Sequence, residues 1–176
     1  MKMLLRGGSP LKYRGDVLVV GHHSDHRPLR GTVGQLDWFF NSSLSQLWKR
    51  KGDLLAFGQV TLLSTQEKMP FSSLMVVGIG KERDLSADTR KEAYRIALDA
   101  VERIEAVSCA MEGIPILGRW DMGVIEDLSR VLGEITGSEV AQVDLYLSSS
   151  ELLASAREVF PASGERIPSR ATPSRK

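Results

Sequence analysis

The sequence predicts an α/β domain in which a central mixed sheet is flanked by helices, and three observations carry that prediction. Val17 to Val20 is an unbroken β-branched and leucine run bounded by glycines, the pattern of a strand buried on both faces. Tyr94, Ala97, Leu98, Val101 and Ile104 form an apolar stripe at helical spacing. Strand-like and helix-like segments then alternate along most of the chain, as in layered α/β proteins.

After the first strong strand, Val33, Leu36, Trp38, Phe39, Phe40, Leu44, Leu47 and Trp48 recur at mostly helical spacing, with a break at Asn41-Ser42-Ser43. Two short helices are expected, the second capped by Ser42 or Ser43. Gln59 to Ser64 and Ser73 to Gly78 are short β-favouring runs separated by a polar turn with Pro70, and read as neighbouring strands. Ser86 is placed to accept an amide hydrogen of the next helix, and Asp88 complements the dipole of a helix that runs to about residue 106.

Val107 to Met111 reads as a buried strand, followed by a turn-rich loop from Glu112 to Asp121. Val124, Ile125, Leu128, Val131, Leu132 and Ile135 mark an amphipathic helix ending near Gly137. A strand at Gln142 to Leu147 and a helix opened by Ser149 or Ser150 complete the domain, assigned to residues 1–160. From Pro161 to Lys176, Pro, Ser, Ala and Arg replace apolar periodicity, and a disordered tail is expected.

A chain of 176 residues, 42% hydrophobic and 26% charged, suits one globular domain with a sizeable core. The 23 basic and 22 acidic residues give a formal charge of +1, so no general attraction to nucleic acid or to an anionic membrane is expected. Cys109 is the single cysteine, which rules out a disulfide framework within the chain and fits a reducing cytoplasm. The apolar part of Met1 to Arg6 is too short for a signal peptide, and no apolar run reaches the length of a membrane span.

The motif Gly15-Asp-Val-Leu-Val-Val-Gly21 is followed by Gly31-Thr-Val-Gly-Gln-Leu-Asp37, Lys51-Gly-Asp-Leu-Leu-Ala-Phe-Gly58 and Leu74-Met-Val-Val-Gly-Ile-Gly-Lys81. In this order the segments resemble the N-terminal, macro-domain-like domain of the M17 cytosolic leucyl aminopeptidases. The resemblance implies a three-layer macro-domain-like fold. It also implies no peptidase activity by this chain, because the family's two-metal centre lies in a C-terminal domain whose Asn-Thr-Asp-Ala-Glu-Gly-Arg segment does not occur here. The family's hexameric architecture implies a non-catalytic assembly or regulatory module that works through protein contacts, as a homo-oligomer or beside a separate aminopeptidase catalytic chain; one alternative is the N-terminal half of a split aminopeptidase.

Kinship with macro domains implies an alternative, a crevice for an ADP-ribose-like nucleotide or another anion, with Asp16 as an adenine contact. Gly78, Gly80 and Lys81 would then form a phosphate-facing turn, although they lack the full spacing of a phosphate loop and also suit a tight strand-to-helix connection. The segment Gly21-His-His-Ser-Asp-His26 replaces the Asn-Ala-Ala-Asn stretch of nucleotide-binding macro domains and provides no glycine cradle.

His22, His23 and His26 are all the histidines of the protein, and at the carboxyl end of a strand they read either as metal ligands or as a polar loop. No resident cofactor is expected. Trp38 and Phe39 cannot share one helix side with Phe40, so at least one of this group is expected to be exposed or at a contact surface; core packing is the default reading and a subunit interface the sharper alternative.

Overall fold

A computed structural model describes residues 1–52, 54–135 and 138–159. Six strands and five α-helices follow in the order β1 (Lys2–Gly7), β2 (Gly15–His22), α1 (Gly31–Phe39), α2 (Ser43–Lys51), β3 (Val60–Ser64), β4 (Phe71–Gly78), α3 (Ala87–Arg103), β5 (Ser108–Glu112), α4 (Gly123–Glu134), β6 (Gln142–Leu147) and α5 (Ser150–Val159). The sheet order is β1-β6-β5-β2-β4-β3, parallel throughout except for the antiparallel β3–β4 pair at one edge.

Side chains alternate along each strand, so the sheet feeds two cores. Val17, Val19, Met75, Val77, Cys109, Met111, Val143 and Leu145 pack beneath α3, α4 and α5. Leu18, Val20, Leu74, Val76 and Ala110 face α1 and α2 through Val33, Leu36, Leu44 and Trp48. The expected three-layer fold is what forms. Its central strand, β2, is fully covered on both faces, which is why the run from Val17 to Val20 carries no polar alternation.

Several local expectations need correction. Lys2–Gly7, read from sequence only as a chain start, is an edge strand parallel to β6, with Met3 and Leu5 packed against the core. Ser42 precedes α2 but lies at φ 60 and makes no side-chain cap. That task falls to Asp37 of the preceding helix, whose Oδ1 accepts the Ser45 amide at 3.0 Å. Helix α3 ends at Arg103 rather than near 106, because Glu105 turns to positive φ, and Ile104 leaves the apolar stripe for the surface.

The Ser86 cap is present as a reciprocal box with Thr89, and Ser149 accepts the Leu152 amide at the start of α5. The stop expected near Gly137 and the tail from 161 lie outside the described residues. No helix among the described residues is long and apolar enough to cross a membrane.

Candidate functional site

Strand β2 pairs with β4 on one side and β5 on the other. Where the order of a parallel sheet reverses in this way, the loops leaving the carboxyl ends of the strands diverge and leave a crevice. Here it has a volume of about 290 Å³ and is bounded by Gly21, the histidine loop, the first turn of α1, Ile79 and Glu82, and the segment from Glu112 to Trp120.

Its floor is unusual for its charge. Glu112 ends β5 and accepts the Thr32 hydroxyl through Oε1 at 2.8 Å. Burial pushes the Glu112 carboxyl above the ordinary range, and the Thr32 hydrogen bond opposes that shift only partly. The amides beyond it are already engaged: Gly113 donates to the Tyr146 carbonyl at 2.9 Å and Ile114 to the Tyr94 hydroxyl at 3.1 Å. On this side of the crevice a carboxyl and two occupied amides give a phosphate nothing to bind, whereas Arg30 and the amino end of α1 lie on the other side.

The histidine loop folds back over the turn after β4. His22 Nε2 donates to the His26 carbonyl at 3.4 Å and His23 Nδ1 to the Gly80 carbonyl at 3.2 Å; both nitrogens are assigned as protonated because a carbonyl only accepts. His26 Nε2 lies 3.0 Å from Glu82 Oε2. His22 also lies parallel to the indole of Trp48, with centroids 6.3 Å apart. Its pKa falls to about 4, first through burial and then through the neighbouring imidazoles, so it is neutral at physiological pH.

The structure therefore brings His22, His23 and His26 together, with ring centroids of His23 and His26 4.9 Å apart. Among the described residues, however, no three His, Cys, Asp or Glu side chains are grouped so as to hold a metal ion. One ring nitrogen of each histidine is engaged, by the His26 carbonyl, the Gly80 carbonyl and Glu82 respectively.

Asp16 is not part of this site. It sits at the amino end of β2, about 20 Å of strand away from His22 at roughly 3.3 Å per residue. There its Oδ2 accepts the amides of Val107 and Ser108 and the Ser108 hydroxyl at 2.8 to 3.0 Å, closing the entry to β5.

Gly78 and Gly80 are explained by local geometry. A Cβ at Gly78 would lie 2.2 Å from the Ala56 carbonyl oxygen, and Gly80 adopts φ +71 while its carbonyl receives Ser24 and His23. Lys81 is exposed and does not line the crevice. Ile79 and Glu82, which flank this glycine turn, line it instead. Glu112, Thr32 and Trp120 were missed from sequence. The signal for Glu112 was its place directly after a buried strand, where ligand-facing side chains sit in open α/β sheets.

A second surface lies on α1. Val33 and Leu36 face the core, whereas Trp38 is 76% exposed and Phe39 50%. The two rings meet edge to face, with centroids 5.4 Å apart. Both rings of this pair are thus exposed, while Trp48 goes into the core.

Residues 19–121 match the Cytosol aminopeptidase family, N-terminal domain. A probable cytosol aminopeptidase of Colwellia psychrerythraea is 32% identical over 123 residues, covering 68% of this chain and 24% of its own length. One from Idiomarina loihiensis is 35% identical over 125 residues, with the same shares. The chain thus spans 24% of the length of these curated relatives. Among solved structures, a tomato leucine aminopeptidase mutant aligns over 86% of this chain and 34% of its own, at 16% identity and TM-score 0.66. A Trypanosoma brucei macrodomain in complex with ADP covers 90% of this chain and 69% of its own, at 11% identity and TM-score 0.74. At these identities the structural likeness speaks for the fold alone.

Proposed function

Because the chain belongs to the cytosol aminopeptidase family by its N-terminal domain, we propose that it is a non-catalytic assembly or regulatory module acting through protein contacts. The part of the family it matches is not the catalytic one. The observation that carries the proposal is the outward Trp38–Phe39 pair on a helix whose other face is anchored in the core. Exposed aromatics held on a rigid element are suited to anchor a partner surface. Full burial of each such side chain contributes about 1.5–3 kcal/mol. The occupant is a second copy or a separate aminopeptidase catalytic chain.

A second reading is favoured by the crevice, which lies where open α/β sheets take small ligands. Its lining is mixed in charge, with Glu112 and Glu82 beside Arg30 and the three histidines. A ligand fitting this lining would donate hydrogen bonds to the carboxyl and place an apolar body against Ile79, Ile114 and Trp120.

Native mass spectrometry of the protein purified gently from its own source separates the readings. A complex containing more than one chain is expected. A bare monomer carrying a small-molecule adduct would instead favour the crevice, and a bare monomer with no adduct would count against both.

A further inference from the structure

We infer that the free edge of β3 is a homotypic docking surface, on which a second copy of this chain pairs antiparallel to continue the sheet across a two-fold axis. The inference goes beyond the α1 surface and does not require it.

Strand β3 closes one end of the sheet and is bonded to β4 alone. The ladder continues into Gln59, whose carbonyl accepts the Gly78 amide, and Thr65, whose amide donates to Ser72. Because inward and outward groups alternate along an antiparallel strand, Thr61 and Leu63 address β4. The amides and carbonyls of Val60, Leu62 and Ser64 address the open edge. Exposed edges are usually blunted with charge, proline or a bulge. β1, at the opposite edge, carries Lys2 and Arg6. β3 reads Val60-Thr-Leu-Leu-Ser64, with no charge and no proline; the bulge at Gly58 and Gln59, which both bond Gly78, lies ahead of it and leaves this stretch regular.

The same edge is apolar. Val60 is 37% exposed, Leu62 45% and Ile104 37%, and they border a groove of about 480 Å³ between β3 and α3. Asp99 and Arg103 line that groove, and among the described residues neither has an ion-pair partner within 4.0 Å.

These features are self-complementary. With the two-fold axis at Thr61, Val60 of one copy stands opposite Leu62 of the other and the reverse. All four side chains lie on the α3 side, and roughly four new backbone hydrogen bonds form. The same axis runs the two α3 helices antiparallel. Asp99 and Arg103, four residues apart on α3, then run in opposite order in the two copies, so the acidic position of one is set toward the basic position of the other along the joined groove. That pairing of unpaired opposite charges is what selects a second copy as the occupant.

Sedimentation velocity on the full chain, from micromolar to about 0.5 mM, tests the inference. A reversible dimer is expected. Leu62→Lys should weaken it by tenfold or more. Asp99→Arg should weaken it too, and adding Arg103→Asp should restore it, with the unfolding temperature of each variant as the control on folding. Because the charge variants leave the strand intact, they remain decisive if Leu62→Lys fails to fold. A protein that stays monomeric throughout the range overturns the inference. So does a dimer insensitive to the Asp99 and Leu62 variants but lost in Trp38→Ser, which would place self-association on α1 and leave the assembly reading standing.

Discussion

Thr32, in the first turn of α1, donates its hydroxyl to Glu112 at the end of β5 across 2.8 Å. The helix that follows the central strand is thereby tied to the neighbouring strand directly over the crevice. The bond also fixes a carboxyl in surroundings that disfavour its charge. Mutation of either residue would thus disturb the crevice and the seat of the α1 surface together.

Glu112 should make stability depend on pH in a defined direction. Its folded pKa lies above its unfolded value, so below the folded pKa the native state binds more protons than the unfolded one. Stability should therefore fall as pH rises through that window. Glu112→Gln keeps an acceptor for Thr32 and should remove this slope. Urea unfolding of both proteins across acid to neutral pH checks it.

His22 acts with the opposite sign. With a folded pKa of about 4 against an ordinary 6.5, it is neutral in the native state while the unfolded chain takes up a proton. Its contribution is intact above about pH 6.5 and is lost as pH falls toward 4, by up to roughly 3 kcal/mol. His22→Gln should flatten that acid limb. An unchanged acid limb in the variant would contradict the assignment.

Arg90 is buried beneath the crevice wall, its Nε 2.7 Å from Asp127 Oδ2 and its Nη1 3.4 Å from the Ile114 carbonyl. The pair bolts α3 to α4. Asp127→Ala leaves the buried guanidinium with only the longer carboxylate contact to Asp121, 3.6 Å from Nη1, and should cost about 3 kcal/mol. A double change to Arg90→Met and Asp127→Leu should cost less than the single one, as equilibrium denaturation would read directly.

Gly78 is there for space. A methyl group at this position would meet the Ala56 carbonyl oxygen at 2.2 Å, and backbone cannot retreat as a side-chain end can. Gly78→Ala should lower stability by about 1–3 kcal/mol. Thermal unfolding that matched the parent would show that the loop before β3 yields freely.

Much of this architecture was legible in the residues. The run from Val17 to Val20, the Ser86 cap and the stripe from Tyr94 to Val101 each follow from local rules that the packing then obeys. β1 was not legible, because its six residues draw stability from pairing with β6, some 140 positions away, rather than from any pattern of their own. The site was only half legible. The histidine loop follows a recognisable strand, but Glu112, which lines the same crevice, is brought in by a crossover that no local spacing reveals. Asp16 was misplaced because a motif on a strand does not show which end meets the crevice, and in this parallel sheet the amino end lies away from it.

The proposed assembly role rests on the aromatic face of α1. Trp38→Ser tests it most directly, since a side chain 76% exposed should leave the stability of the domain within about 0.5 kcal/mol of the parent. The protein and the variant, each purified gently from the native source, would be compared by native mass spectrometry. A multichain complex is expected for the parent, reduced at least about tenfold in a folded Trp38→Ser variant. An undiminished complex in that variant would contradict it.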